Sequence, residues 1–261
     1  RRSLSERCIV EVPGGEIGEC SISRNGVWLT AAYKRGAECG LVVGRFNGTG
    51  WREIRFPRTV IHPQFHPLEP AWIEFAGDPA PRMHRVRVDG TGLECLYEHT
   101  NQEFVVHETF LGTTGDLVFT VWPREVFRMN WTTRDIRSIC KYNAWHIAPD
   151  SLGERILCDT NHPDEGLQII DVATGSHRLL CLSESSNQGT QWKKSCYALP
   201  EDFAAARQNR AGEHLSWMEN AADTVYGPQW THPHPSWSFE ETQVAFASDR
   251  IGVTQVYVAK L

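Results

Sequence analysis

The sequence lacks several features that would mark out whole classes of function. It contains no run of about 18 apolar residues, the length a helix needs to cross a bilayer, so no membrane partner is expected. Positive charge is not in surplus: 26 Lys and Arg stand against 32 Asp and Glu, a formal net charge of −6. General affinity for nucleic acid needs a basic surface, so no nucleic-acid partner is expected either. The eight cysteines never form a Cys-x-x-Cys pair, which removes the commonest zinc and dithiol patterns. Some sit in apolar runs, Cys158 after Arg155-Ile156-Leu157 and Cys181 after Leu179-Leu180. Most are therefore read as reduced core thiols, and a cytoplasmic setting is expected. The opening Arg1-Arg2-Ser3-Leu4-Ser5-Glu6-Arg7 is basic without the apolar stretch of a secretory leader behind it.

What the chain does have is a repeated strand–turn–strand pattern. The first copy runs from Ile22–Tyr33 through a polar turn to Gly40–Phe46, then Asn47-Gly48 and a short strand at Trp51–Phe56. Asn-Gly favours the positive φ of a tight hairpin turn. A second copy holds Trp72–Phe75, His84–Val88, Asp89-Gly90 and Leu93–Tyr97, and a third begins near Val105 and includes Leu117–Trp122. The fourth begins near His146 and contains Arg155–Asp159, Leu167–Val172, Thr174-Gly175 and His177–Leu182. The fifth runs from Thr231 to Ala259. Short strands recurring about every 40 residues predict an all-β propeller, each blade too thin to bury its apolar face alone.

Five blades in one domain spanning residues 1–261 are expected, the last ending after its third strand. A closed ring of seven is expected for the complete protein, with the missing part at the N-terminus. Residues 183–227 interrupt the pattern and are expected to form a lid-like excursion with a short helix at Leu199–Gln208.

Chemistry concentrates on histidine. Gln229-Trp230-Thr231-His232-Pro233-His234-Pro235-Ser236 places two imidazoles two residues apart just before an apolar strand, so both can face one object if the segment is extended. Gln229 can add an oxygen, and the set suits Mn, Fe, Ni or Zn. His62, His107 and His146 stand at equivalent places in their own blades, before or within the first strand. First strands of a propeller converge on its axis, so these residues are expected to meet at one end of the channel.

From Ile61 to Leu261 the sequence resembles the oligogalacturonate lyases, propeller enzymes of pectin breakdown. The likeness is densest at Gln229–Ser236 and continues into Ser248-Asp249-Arg250-Ile251-Gly252-Val253. It implies a divalent cofactor, manganese in that family, held by His146, Gln229, His232 and His234. It also implies His107, in His107-Glu108-x-Phe110, as the catalytic base and Arg82, in Pro81-Arg82-Met83, as the active-site arginine. The partner implied is an anionic oligosaccharide, a short 4-linked galacturonide cleaved by β-elimination. Two features depart from the family: Phe75–Ala80 is short and lacks a His-Glu-Gly segment, and residues 183–227 are longer than their counterpart. Both bear on the mouth of the site. A lyase for another uronate oligomer, or a noncatalytic propeller binding a glycan or peptide, are the alternatives.

Overall fold

The computed structural model describes residues 6–100, 102–160, 164–185 and 231–261. Gln229 and the expected helix at Leu199–Gln208 lie outside the described residues. Among the described residues no helix is long and apolar enough to cross a membrane, which says nothing of β-barrels.

The described secondary structure is all β, in sheets that follow chain order. The first sheet contains β1 (Glu16–Ile22), β2 (Trp28–Arg35), β3 (Glu38–Arg45) and β4 (Arg52–Phe56). The second contains β5 (Thr59–Phe65), β6 (Trp72–Asp78), β7 (Met83–Arg87) and β8 (Glu94–Cys95). The third contains β9 (Val105–Phe110), β10 (Leu117–Val121), β11 (Glu125–Met129) and β12 (Ile136–Cys140). The fourth contains β13 (Ala144–Pro149), β14 (Arg155–Thr160), β15 (Leu167–Asp171) and β16 (His177–Cys181). The fifth is three-stranded, with β17 (Ser236–Trp237), β18 (Gln243–Ser248) and β19 (Gln255–Lys260). Each is an antiparallel meander of neighbouring strands, the blade unit the repeats predict. In chain order they are blades 1 to 5.

The turn dipeptides do what their chemistry requires. Gly48, Gly90 and Gly175 carry φ of 92°, 88° and 69°, where a Cβ would be strained. The residue before each turn glycine, or one just upstream, supplies an oxygen to the backbone. Asn47 Oδ1 accepts from the Thr49 N–H, Asp89 Oδ1 from Thr91, and Asp171 Oδ1 from Thr174. Blade 1 differs from the sequence reading: Ile22–Tyr33 is broken by a turn at Ser23–Gly26, and the sheet starts earlier, at Glu16. Ile17 and Ile22 are exposed, so β1 has no apolar run to announce it.

The chain forms two compact units, residues 1–98 with blades 1 and 2, and residues 99–261 with blades 3 to 5. In the first, Leu41, Val43 and Phe56 of blade 1 pack with Val60, Ile73 and Phe75 of blade 2. In the second, Val118 and Val126 pack with Ile156 and Ile170, and Leu157 and Ile169 pack with Val244 and Phe246. Strands β3, β10 and β14 are buried on both faces and read as apolar runs, whereas the last strand of a blade, such as β4, turns one face to water. Leu179 on β16 is accordingly exposed. This corrects the cysteine reading in part. Cys39, Cys140 and Cys158 are buried thiols, but Cys181 is only half-buried, and Cys8 and Cys20 are exposed.

One irregularity recurs. In each four-stranded blade the first strand carries one extra residue against the second, a β-bulge. The bulged pairs are Gly18-Glu19, His62-Pro63, His107-Glu108 and Trp145-His146. They stand opposite Ala32, Phe75, Phe119 and Asp159 respectively. In blade 5 the Ala247 N–H donates to the Pro233 carbonyl while Ser236 pairs with Ala245, so His234-Pro235 makes the same step. His62, His107 and His234 take positive φ there, 53°, 57° and 44°. A bulge turns backbone N–H groups out of the ladder, and each needs another acceptor. The His62 N–H finds Glu19 Oε2 of the preceding blade at 2.5 Å, and the His234 N–H finds Asp159 Oδ2 of the preceding blade at 3.2 Å.

Candidate metal centre

The bulges of blades 3, 4 and 5 bring four of the sequence-selected histidines together. His146 is central. Its ring centroid lies 4.5 Å from that of His107, 4.9 Å from His232 and 3.4 Å from His234. One nitrogen from each of His146, His232 and His234 can be chosen so that the three lie within 4.8 Å of one another, a spacing that can hold a metal ion. His146 and His232 are buried and His234 is exposed, so the group is walled on one side and open on the other. His107 stands beside this trio and outside it, half-buried.

The donor set fits a first-row divalent ion, which takes neutral imidazole nitrogen readily. Burial, with His146 and His234 close by, holds His232 well below the usual imidazole range, so it is neutral and has a lone pair to give. His232 Nδ1 lies 3.4 Å from the indole Nε1 of Trp145. That indole, 4% exposed, also meets His107 and His146 edge to face and packs against Phe104 and Trp122. It forms an apolar floor that keeps water from the buried side.

Sequence reasoning missed Asp159. It is completely buried at the end of the β14 apolar run. Its Oδ1 accepts the His146 N–H at 2.8 Å, and its Oδ2 lies 2.7 Å from His146 Nδ1 and accepts the His234 N–H at 3.2 Å. Burial pushes its carboxyl up to about 7, against the lowering effect of these N–H groups. A carboxylate this deep costs several kcal/mol unless it is bonded. The sequence signal was an acidic residue closing Ile156-Leu157-Cys158, where β6 and β10 place phenylalanines.

Arg82 lies in the first unit, at the hairpin between β6 and β7, and is 5% exposed. Its backbone is fixed from two sides. The Arg82 carbonyl accepts the Gly77 N–H at 2.6 Å and His84 Nδ1 at 2.8 Å. His84 Nε2 in turn lies 3.1 Å from Arg58 Nη2, so both ring nitrogens are engaged. Arg250, from the Ser248-Asp249-Arg250 stretch, has a structural task. Its Nη2 donates to the Leu182 and Ser183 carbonyls and its guanidinium lies over Tyr257, which ties blade 5 to the end of blade 4.

No family model matches the chain. It is similar to the oligogalacturonide lyase of Pectobacterium atrosepticum, 23% identical over 207 residues that cover 77% of this chain and 49% of that protein. The chain thus spans about half the length of this curated relative. Among solved structures it resembles an oligogalacturonate lyase in complex with manganese, with a TM-score of 0.75 at 17% identity, covering 98% of this chain and 69% of that one. It also resembles the Swd1 β-propeller domain from Myceliophteria thermophila, with a TM-score of 0.55 at 14% identity, covering 94% and 68% of the two chains. The fold is therefore a β-propeller fold.

Proposed function

We propose that this chain carries the active site of a lyase that cleaves short 4-linked galacturonides by β-elimination, with manganese as its divalent cofactor. The observation that carries this reading is the His146, His232 and His234 group with His107 beside it, in a chain similar to oligogalacturonate lyases in sequence and fold. His146, His232 and His234 would hold the ion, with Gln229 as a further ligand. When bound, the ion supplies a Lewis acid for the C6 carboxylate of the uronide, which makes the C5 proton more acidic. Three imidazole ligands would bring no negative charge of their own to the ion, which keeps it attractive to an anionic substrate.

The protein's own groups do the rest. His107, not needed as a ligand, takes the C5 proton on a ring nitrogen. The electron pair of the C5–H bond becomes the C4–C5 double bond, and the C4–O4 bond breaks. The departing O4 takes a proton from water, and His107 returns its own proton to solvent. Trp145 keeps water from the buried side of the histidines. Arg82 presents a planar cationic fork suited to a carboxylate, and its assignment rests on the Pro81-Arg82-Met83 likeness.

The test is a panel of galacturonide, ulvan and rhamnogalacturonan oligomers followed by ultraviolet absorbance of the new double bond. Turnover on galacturonides is expected. Products that gain water without unsaturation would show hydrolysis instead. Inactivity on every uronide with the ion bound would favour a glycan-binding propeller.

A further inference from the structure

We infer that Asp159 is the positioning residue of the metal centre, a single carboxylate that sets both His146 and His234 to face one ion. This rests on the reading that His146, His232 and His234 hold a divalent metal.

Asp159 stands where other blades bury carbon. Opposite the first-strand bulge, blades 1, 2 and 3 put Ala32, Phe75 and Phe119, all buried and apolar. Only blade 4 among these puts a charge there. Packing does not demand it, because the neighbouring blades fill the same position with carbon. What Asp159 gains instead is a set of three donors, the His146 N–H, His146 Nδ1 and the His234 N–H.

Those donors define its task. With Nδ1–H given to the carboxylate, the lone pair of His146 stays on Nε2, and the ring cannot rotate without losing the bond. The same oxygen that takes Nδ1 takes the His234 N–H, although His234 belongs to the next blade. His234 has φ of 44°, sparsely populated by residues with a Cβ, so its conformation needs an external hold. Asp159 supplies it across the blade boundary. The stacked rings of His146 and His234 are the result, 3.4 Å between centroids.

The ionised carboxylate, which only accepts, is the form that satisfies all three donors. Asparagine has the same shape but one acceptor oxygen and one NH2. Whichever way it is turned, the NH2 meets at least one of the three N–H donors, and the arrangement cannot be kept whole.

The experiment compares the full chain with its Asp159→Asn, Asp159→Phe and Asp150→Asn variants. Asp150 is a buried carboxylate of the same blade whose oxygens bond Arg155 and the Glu154 N–H and none of the histidines. Manganese affinity is measured by titration calorimetry, and imidazole tautomers of the metal-free proteins by nitrogen-15 NMR. Asp159→Asn is expected to bind manganese about 10–100-fold more weakly. Asp159→Phe, which copies blades 2 and 3, is expected to fold and to lose the Nδ1–H signature of His146. Asp150→Asn is expected to bind as the parent does. Unchanged affinity and tautomer in both Asp159 variants would overturn the inference, and so would an equal loss in Asp150→Asn. If the parent protein took up no manganese, the functional reading would fall. The Nδ1–H signature would then still report whether Asp159 sets His146.

Discussion

The indole of Trp145 meets the imidazole of His107 edge to face, with centroids 4.8 Å apart and planes at 73°. The contact packs the ring of His107 beside the His146, His232 and His234 group. His107→Ala is therefore expected to lower turnover on galacturonides by about 10²–10⁴-fold, the usual contribution of a general base. Bound metal should stay at the parent level. Steady-state kinetics with elemental analysis of the same samples checks both halves, and full turnover in the variant would reject His107 as the base.

His232→Ala should do the opposite. Removing one of three imidazoles from a group that spans 4.8 Å is expected to abolish stoichiometric metal after dialysis. In the parent, metal at 100 times its dissociation constant should stabilise the fold by about 2.7 kcal/mol, and the variant should show no such rise. Thermal unfolding with and without chelator reads this, and equal metal content in the two proteins would remove His232 from the ligand set.

Under the proposed function Arg82 would meet the substrate carboxylate, where planarity matters as much as charge. Arg82→Lys keeps the charge and loses the two-pronged donor. We expect kcat/KM to fall by about 10–100-fold, in line with about 1.5–3 kcal/mol for a hydrogen bond to a charged group. An unaltered kcat/KM in Arg82→Lys and Arg82→Ala together would exclude a role at the carboxylate.

Gly77 is a stability test of the hairpin that holds Arg82. A Cβ there would sit 2.6 Å from the Phe56 ring, and that ring is packed edge-on against Phe75. Gly77→Ala is expected to cost about 1–3 kcal/mol through overpacking. Denaturant unfolding measures it, and an unchanged midpoint would mean that Phe56 yields freely.

Much of this was readable from sequence because the signals are local. Asn47-Gly48, Asp89-Gly90 and Thr174-Gly175 mark turns by backbone preference alone, and strands such as β10 and β14 are apolar because both their faces are covered. His232 and His234 were found by their spacing. β1 was misplaced because its exposed Ile17 and Ile22 leave no apolar run. The bulges were hidden for a different reason. An extra residue is defined only against its partner strand, and pairing cannot be read from one strand. Asp159 was hidden with them, since its meaning comes from standing opposite Trp145-His146.

The bulge has a consequence for how such a molecule can change. Pairing resumes in register on either side of the step, so the two residues within it are isolated from the demands of the ladder. Blade 1 mounts Gly-Glu there, blade 2 His-Pro, blade 3 His-Glu and blade 4 Trp-His, on the same meander. The sheet behaves as a fixed bracket and the step as an exchangeable fitting. A new chemical group can be tried at that point by altering two codons, provided that the N–H groups the step turns out still find an acceptor.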